Sequence, residues 1–168
     1  MKRPVTIFTG QWADLGMEEM CETAEKMGYE GLEIATWGQL DVRKADSDPS
    51  YIEQMQDTMR RHNLGCWAIG AHLTGQCVID GLPSAYDSRL DGFAPAQYAG
   101  KPEEIQKWAI EEMMITANAA KKMGVDTVTC FMGSPIWKVW YSFPQTSEEQ
   151  VEEGYQKVKE LWSPIFDE

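Results

Sequence analysis

The feature that most limits what this chain can fold into is a phrase that recurs along it. Lys26-Met27-Gly28-Tyr29-Glu30-Gly31-Leu32-Glu33-Ile34 is echoed by Lys122-Met123-Gly124-Val125-Asp126-Thr127-Val128-Thr129-Cys130. Each copy reads as the last turn of a helix, a glycine just past its end, an acidic turn and a short apolar strand. Glycine takes the left-handed conformation that closes a helix, and a lysine in the last turn complements the negative end of the helix dipole. A weaker third copy, His62-Asn63-Leu64-Gly65-Cys66-Trp67-Ala68-Ile69, uses Asn63 as its stop. Helices that end just before strands, three times over, point to consecutive βα units.

The helices that these stops close have their own signals. Met17, Met20, Cys21, Ala24 and Met27 make one apolar stripe, with Glu18, Glu19, Glu22 and Glu25 mostly facing water. A second helix starts at Asp48-Pro49, a cap followed by proline at the first position, and carries Ile52, Met55 and Met59. A third is expected from Pro102 to Met123. A fourth starts at Ser147 with Gln150 completing a capping box. Short apolar strands are expected at Val5 to Thr9, Gly31 to Ala35, Leu64 to Ala71 and Thr127 to Met132. The order βαβαβαβα belongs to parallel strands joined by right-handed helical crossovers, so the class is α/β. A single domain over residues 1–168 is expected. The stretch from about Leu73 to Gly100 lacks helical periodicity and is too long for a plain link, so it is read as a functional loop, about 73–100.

Two architectures accept this order: an open doubly wound sheet, or four consecutive units of an eightfold barrel. At 168 residues the chain is too short for a complete barrel, which takes roughly 250. Ser163-Pro164-Ile165-Phe166-Asp167-Glu168 reads as a fresh helix start, which suggests that the chain stops where a further helix would begin. A flavodoxin-like sheet would want a phosphate cradle after the first strand, and Thr9-Gly10-Gln11-Trp12 offers one glycine and a bulky indole instead.

Charge excludes some partners. Fifteen Lys and Arg against 27 Asp and Glu give a net charge of -12, which repels phosphate backbones and anionic membrane surfaces. No apolar run nears the roughly 18 residues of a membrane span, and the basic start Met1-Lys2-Arg3 meets Pro4 and only a short apolar run. Cys21, Cys66, Cys77 and Cys130 are scattered with no C-x-x-C pair, the usage of a reduced, cytoplasmic protein.

In parallel α/β folds ligands gather at the carboxyl ends of the strands. Trp12, Trp37 and Trp137 fall there, with Trp140 close by. An indole offers a flat apolar face and one N–H, which suits a sugar ring, or it plugs a loop. Gln76 and Ser134 share these positions. His72 follows an apolar strand, where an imidazole can ligate a metal, donate to a substrate oxygen, move a proton, or serve structure alone. Glu33 lies within a strand whose neighbours Leu32 and Ile34 face the helices. Alternation points its carboxylate to the opposite side, where it needs a donor or cation, as an inner-layer hydrogen-bonding residue or as part of a site. Asp41 and Asp80 are read as solvated turn formers, and His62 as an exposed structural residue at a helix end. The sequence has no cluster of His, Asp and Glu at metal-ligand spacing.

The succession Gly28-Tyr29-Glu30-Gly31-Leu32-Glu33-Ile34, Trp37-Gly38 with Asp41, Ala71-His72-Leu73 leading to Gly75-Gln76, and Gly133-Ser134-Pro135-Ile136-Trp137 resembles the amino-terminal half of the sugar phosphate isomerase and epimerase family, xylose isomerase-like TIM barrels. The resemblance implies a barrel truncated to a (βα)4 half-barrel, β1 to α4. It implies metal-dependent isomerisation or epimerisation of a sugar, sugar phosphate or inositol derivative through an enediolate. His72 and Glu33 would be catalytic, and Trp12, Trp37, Gln76, Ser134 and Trp137 would bind substrate. It also implies a divalent metal (Zn, Mn, Mg or Co) whose ligands lie mostly outside this chain. The half-barrel alone would then be inactive unless assembled, and a homodimer through its exposed edges is expected. The alternative is a non-catalytic, carbohydrate-binding remnant. A DNA-repair nuclease of the same fold is disfavoured, because Met132 stands where an imidazole would be wanted and the net charge is negative.

Overall fold

Left-handed backbone closes three helices at the positions that the repeat marks: Gly28 at φ +83°, Asn63 at φ +56° and Gly124 at φ +71°. The computed structural model of the protein describes residues 3–137, 143 and 145–168. Its elements run β1 (Thr6–Phe8), α1 (Met17–Lys26), β2 (Gly31–Ala35), α2 (Val42–Ser47), α3 (Pro49–Arg61), β3 (Gly65–Gly70), α4 (His72–Asp80), α5 (Pro102–Met123), β4 (Val128–Thr129) and α6 (Glu148–Phe166). Short 3-10 helices occupy Thr9–Trp12, Ser88–Phe93 and Ala96–Tyr98. The expected caps are in place. Asp48 accepts from Ser50 N ahead of Pro49, and Ser147 and Gln150 form a reciprocal capping box.

The four strands form one all-parallel sheet in the order β1-β2-β3-β4. A doubly wound sheet reverses its strand order at a switch point. This sheet does not reverse, so it follows consecutive barrel units and the α/β expectation holds.

Two compact units make up the chain: Met1–Ala71 with Ile115–Thr129, and His72–Met114 with Cys130–Glu168. The first holds the whole sheet. Leu32, Ile34 and Ile69 point from one sheet face into a core shared with Met20, Cys21 and Ala24 of α1, Ile52, Met55 and Met59 of α3, and the end of α5. Each fully buried Leu, Ile or Met side chain among them contributes ~1.5 to 3 kcal/mol relative to exposure. The methionines fill the irregular gaps between helices that cross a twisted sheet. Between β2 and β3 the register slips by one residue at Leu32/Glu33: Leu32 pairs with Cys66 but Glu33 with Ala68, so Trp67 is the unpaired residue of a bulge. Because of the bulge, Ile34 and Ile69 stay on the core side while Glu33, Ala68 and Gly70 share the other.

In the second unit, Trp162 of α6 is 2% exposed and donates its Nε1–H to Met132 O at 3.3 Å, tying α6 to the segment after β4. That segment also lies against α4, where a β-carbon on Gly75 would come within 2.6 Å of Phe131 O. Only glycine permits so close a backbone approach.

Three expectations need correction. The stretch read as a loop from about residue 73 begins with α4, a helix whose residues Thr74, Gly75, Cys77, Val78, Ile79 and Asp80 are all buried. A helix covered on most sides shows no apolar stripe, so periodicity missed it. The fourth strand pairs only over Val128–Thr129 rather than to Met132, because its neighbour β3 ends at Gly70: Ala71 N donates to Thr129 O at 2.7 Å, and the chain turns into α4 at His72. Ser163-Pro164 does not start a new helix. It lies inside α6, where the Ser163 hydroxyl donates to Lys159 O at 2.7 Å and Asp167 N donates to Ser163 O. Among the described residues no helix is long and apolar enough to cross a membrane.

Candidate functional site

In the first unit the carboxyl ends of β1 and β2 are tied by Thr9, fully buried, whose hydroxyl accepts from Ala35 N at 2.9 Å. The chain then turns through Thr9–Trp12, and Gln39 holds that turn with Nε2–H bonds to Trp12 O (2.6 Å) and Leu15 O (3.0 Å). Gln39 Oε1 is buried and finds no hydrogen-bond partner among the described residues. Trp12 is half-buried and packs against the core on one side. Trp37 meets Phe8 edge-on, with ring centroids 5.5 Å apart and planes at 66°.

Phe8 is also the neighbour of Glu33. The two are register partners, and a β-carbon on Gly70 would lie 2.5 Å from the Phe8 ring and 3.3 Å from Glu33 Oε1. Glu33 is half-buried, and its Oε1 accepts the Thr129 hydroxyl at 2.5 Å. The sheet face away from the helices therefore carries one carboxylate flanked by an aromatic edge, a hydroxyl and a glycine gap. Such a carboxylate, in contact with apolar surface and with one oxygen bonded, can accept a proton from a bound molecule.

In the second unit, α4 sets His72, Gln76 and Asp80 on one side at steps of four. The His72 ring tilts against Phe131 with centroids 4.9 Å apart. Asp80, 7% exposed, is not the solvated turn former expected from sequence. Its Oδ2 accepts from Gln76 Nε2 at 2.9 Å and its Oδ1 from Ser134 N at 2.8 Å. Gly133 makes this possible: it sits at φ +74°, and a β-carbon there would lie 2.6 Å from Gln76 O and 2.9 Å from Asp80 Oδ1. Ser134 acts through its backbone on Asp80, while its hydroxyl accepts from Ile136 N at 3.3 Å. Gln76, Asp80 and Trp137 line a cleft of about 540 Å³, closed elsewhere by Leu90, Phe93 and the Asp87–Arg89 ion pair. Trp140 lies outside the described residues.

Of the residues singled out in the sequence, Gln76 and Ser134 thus bond one carboxylate, Trp137 lines the cleft that this carboxylate also lines, and Trp37 and Glu33 share Phe8. Glu33 and His72 belong to different units. Sequence reasoning missed Asp80 as a site residue, together with Phe8, Thr129 and the Asp87–Arg89 pair. The signal for Asp80 was its i+4 step from Gln76.

The thiols offer no nucleophile. Burial pushes Cys21 and Cys66 up to about 11 and Cys77 up to about 12, so they stay protonated near neutral pH. Among the described residues no three His, Cys, Asp or Glu side chains come together to hold a metal ion. Glu33 with the Thr129 hydroxyl is a single carboxylate site, which does not match the ligand set of a tightly held divalent cation.

A family model described as xylose isomerase-like TIM barrel matches residues 21–168 of the chain. No curated protein matches it.

Proposed function

Because the chain belongs to the xylose isomerase-like TIM barrel family, we propose that it serves isomerisation or epimerisation of a sugar or inositol derivative through an enediolate, with Glu33 as the group that moves the proton. The observation that carries this reading is the Glu33 carboxylate on the sheet face opposite the helices, beside Phe8 and hydrogen-bonded by Thr129. In the proposed step the carboxylate takes the proton from the hydroxyl-bearing carbon next to the carbonyl while the carbonyl oxygen gains a proton from solvent, giving the enediol. Isomerisation follows when the proton is returned to the former carbonyl carbon and the other enediol hydroxyl gives its proton to solvent. Epimerisation follows when solvent protonates the original carbon on its opposite face and the first hydroxyl gives its proton back, the carboxylate proton exchanging with solvent. In this reading Trp12 and Trp37 are substrate contacts of the first unit, which also holds Glu33. The described residues do not by themselves fit a divalent cation, so no step is routed through one.

The test is solvent exchange. With a ketose and aldose panel in D2O, proton NMR should show loss of the α-proton signal. Glu33→Gln should slow that loss by roughly a hundredfold, with the fold retained by circular dichroism. Unchanged exchange in Glu33→Gln would remove this residue from the chemistry.

A second reading, a non-catalytic carbohydrate-binding protein, is favoured by the cleft of the second unit. Gln76, Asp80 and Trp137 supply it with binding groups, and Glu33 is not among its described lining residues. Saturable sugar binding without exchange for any member of the panel selects it.

We also propose a homodimer in a reducing, cytoplasmic setting. Among the described residues β1 and β4 each pair on one side only, leaving two strand edges, and all four cysteines are free thiols.

A further inference from the structure

The α4 cleft of the second unit has a chemical character of its own. About 540 Å³ lies within the ~300 to 1,000 Å³ typical of small-molecule sites. Its apolar wall is Leu90, Phe93 and Trp137, with the Trp137 side 55% exposed and open to a ligand. Its polar wall is Asp80, buried yet lining the cleft. Each Asp80 oxygen has one protein donor, Gln76 Nε2 or Ser134 N. A carboxylate offers about four acceptor positions, so roughly two remain for donors brought by a ligand. The cation of the lining, Arg89, is held by Asp87 with Nε 2.7 Å from its Oδ1. Two carboxylates against one guanidinium leave the lining negative, in a chain already at -12.

Hydroxyl groups are what such a wall accepts. A vicinal diol can donate two hydrogen bonds to one carboxylate while its C–H face rests on an indole. A phosphate monoester, carrying about -1.5 to -2 near neutral pH, meets repulsion and finds no uncommitted cation among the described residues of the lining. We infer that this cleft takes an unphosphorylated polyhydroxylated ligand, a free ketose or polyol, and that Asp80 is the residue that sets the preference. The inference deepens the sugar reading of the preceding subsection and rests on it.

The experiment titrates the full chain, at fixed ionic strength, with D-fructose, D-tagatose, myo-inositol, the two ketose 6-phosphates and inorganic phosphate, by calorimetry and by indole line broadening in NMR. At least one neutral compound should bind saturably, its phosphate at least roughly tenfold more weakly, and inorganic phosphate not at all. Trp137→Ala, at an exposed position, should weaken the neutral ligand by about fivefold or more. Asp80→Asn should weaken it further and narrow the gap to the phosphate. Should Asp80→Asn fail to fold, Trp137→Ala and the phosphate ratio decide. A phosphate ester that binds as tightly as its free sugar, no neutral ligand at all, or binding indifferent to Trp137→Ala would overturn the inference. Binding of the expected pattern with no α-proton exchange sinks the catalytic reading alone. Exchange that persists while the phosphate ester is preferred sinks this inference alone.

Discussion

Gly133 is what lets Asp80 and Ser134 meet in the second unit's cleft. It supplies a left-handed turn and leaves room for Asp80 to reach Ser134 N. Gly133→Ala brings a β-carbon to 2.6 Å from Gln76 O at a φ of +74°, so the strain and the clash add. We expect a loss of about 2 kcal/mol or more in urea melts, with sugar binding weakened in parallel. A melt within error of the parent would show that the segment relaxes freely. At this scale the sequence was legible where a residue's type limits its conformation. Gly28, Asn63 and Gly124 were readable as helix stops because few residues tolerate positive φ. Asp80 was not, because an aspartate beside a glycine is a turn former in most contexts. Its burial follows from a neighbour 54 positions away, which local pattern does not carry.

The pairing of α1 with α3 offers a prediction about pH. His62, at the end of α3, faces Glu25 Oε2 through Nδ1 at 2.8 Å and Glu18 Oε1 through Nε2 at 3.0 Å. Arg61 also bonds Glu18, and Asn63 donates to Glu25. The bond to Glu25 first, then that to Glu18, raises His62 above its ordinary 6.5, and the His62 bonds lower both carboxylates below 4.5. The sign follows by linkage. The His62 contribution is complete below 6.5 and is lost as pH rises through the folded-state value. The Glu18 and Glu25 contributions are complete above 4.5 and are lost as pH falls through theirs. The clamp is therefore strongest between those two values. Urea midpoints should fall from pH 5.5 to pH 8.5 in the parent by more than in His62→Gln; equal falls would assign the pH dependence elsewhere. Elements also show how far pattern reading reaches. α1, α3 and α6 carry exposed polar faces and caps, so their stripes stand out. α4 is buried nearly all round and carries Gly75 in its middle, so contrast and propensity both fail.

For the molecule as a whole, the parallel βα succession was legible because three helix stops each precede a strand. The unreversed strand order, implied only by the family resemblance, was not, since a doubly wound sheet accepts the same succession. The division into two compact units was not, since it depends on how α5 and the segments flanking it distribute their contacts. Association of two copies, as proposed, must work against the repulsion of two chains at -12. Screening shortens from ~10 Å at 0.1 M salt to ~3 Å at 1 M, so dimerisation should strengthen with added salt. Light scattering that reports a monomer at micromolar concentration across that range would exclude the dimer. One last consequence comes from the bulge at Trp67. Side chains along a strand alternate, so gaining or losing one residue ordinarily turns all that follows inside out. Position 67 already absorbs one such step, since Cys66 and Ala68 pair with consecutive residues of β2. When relatives of this chain are aligned, a one-residue gap there leaves Ile69 in the core and Gly70 beside Glu33, whereas a gap anywhere else in β3 exchanges the two faces.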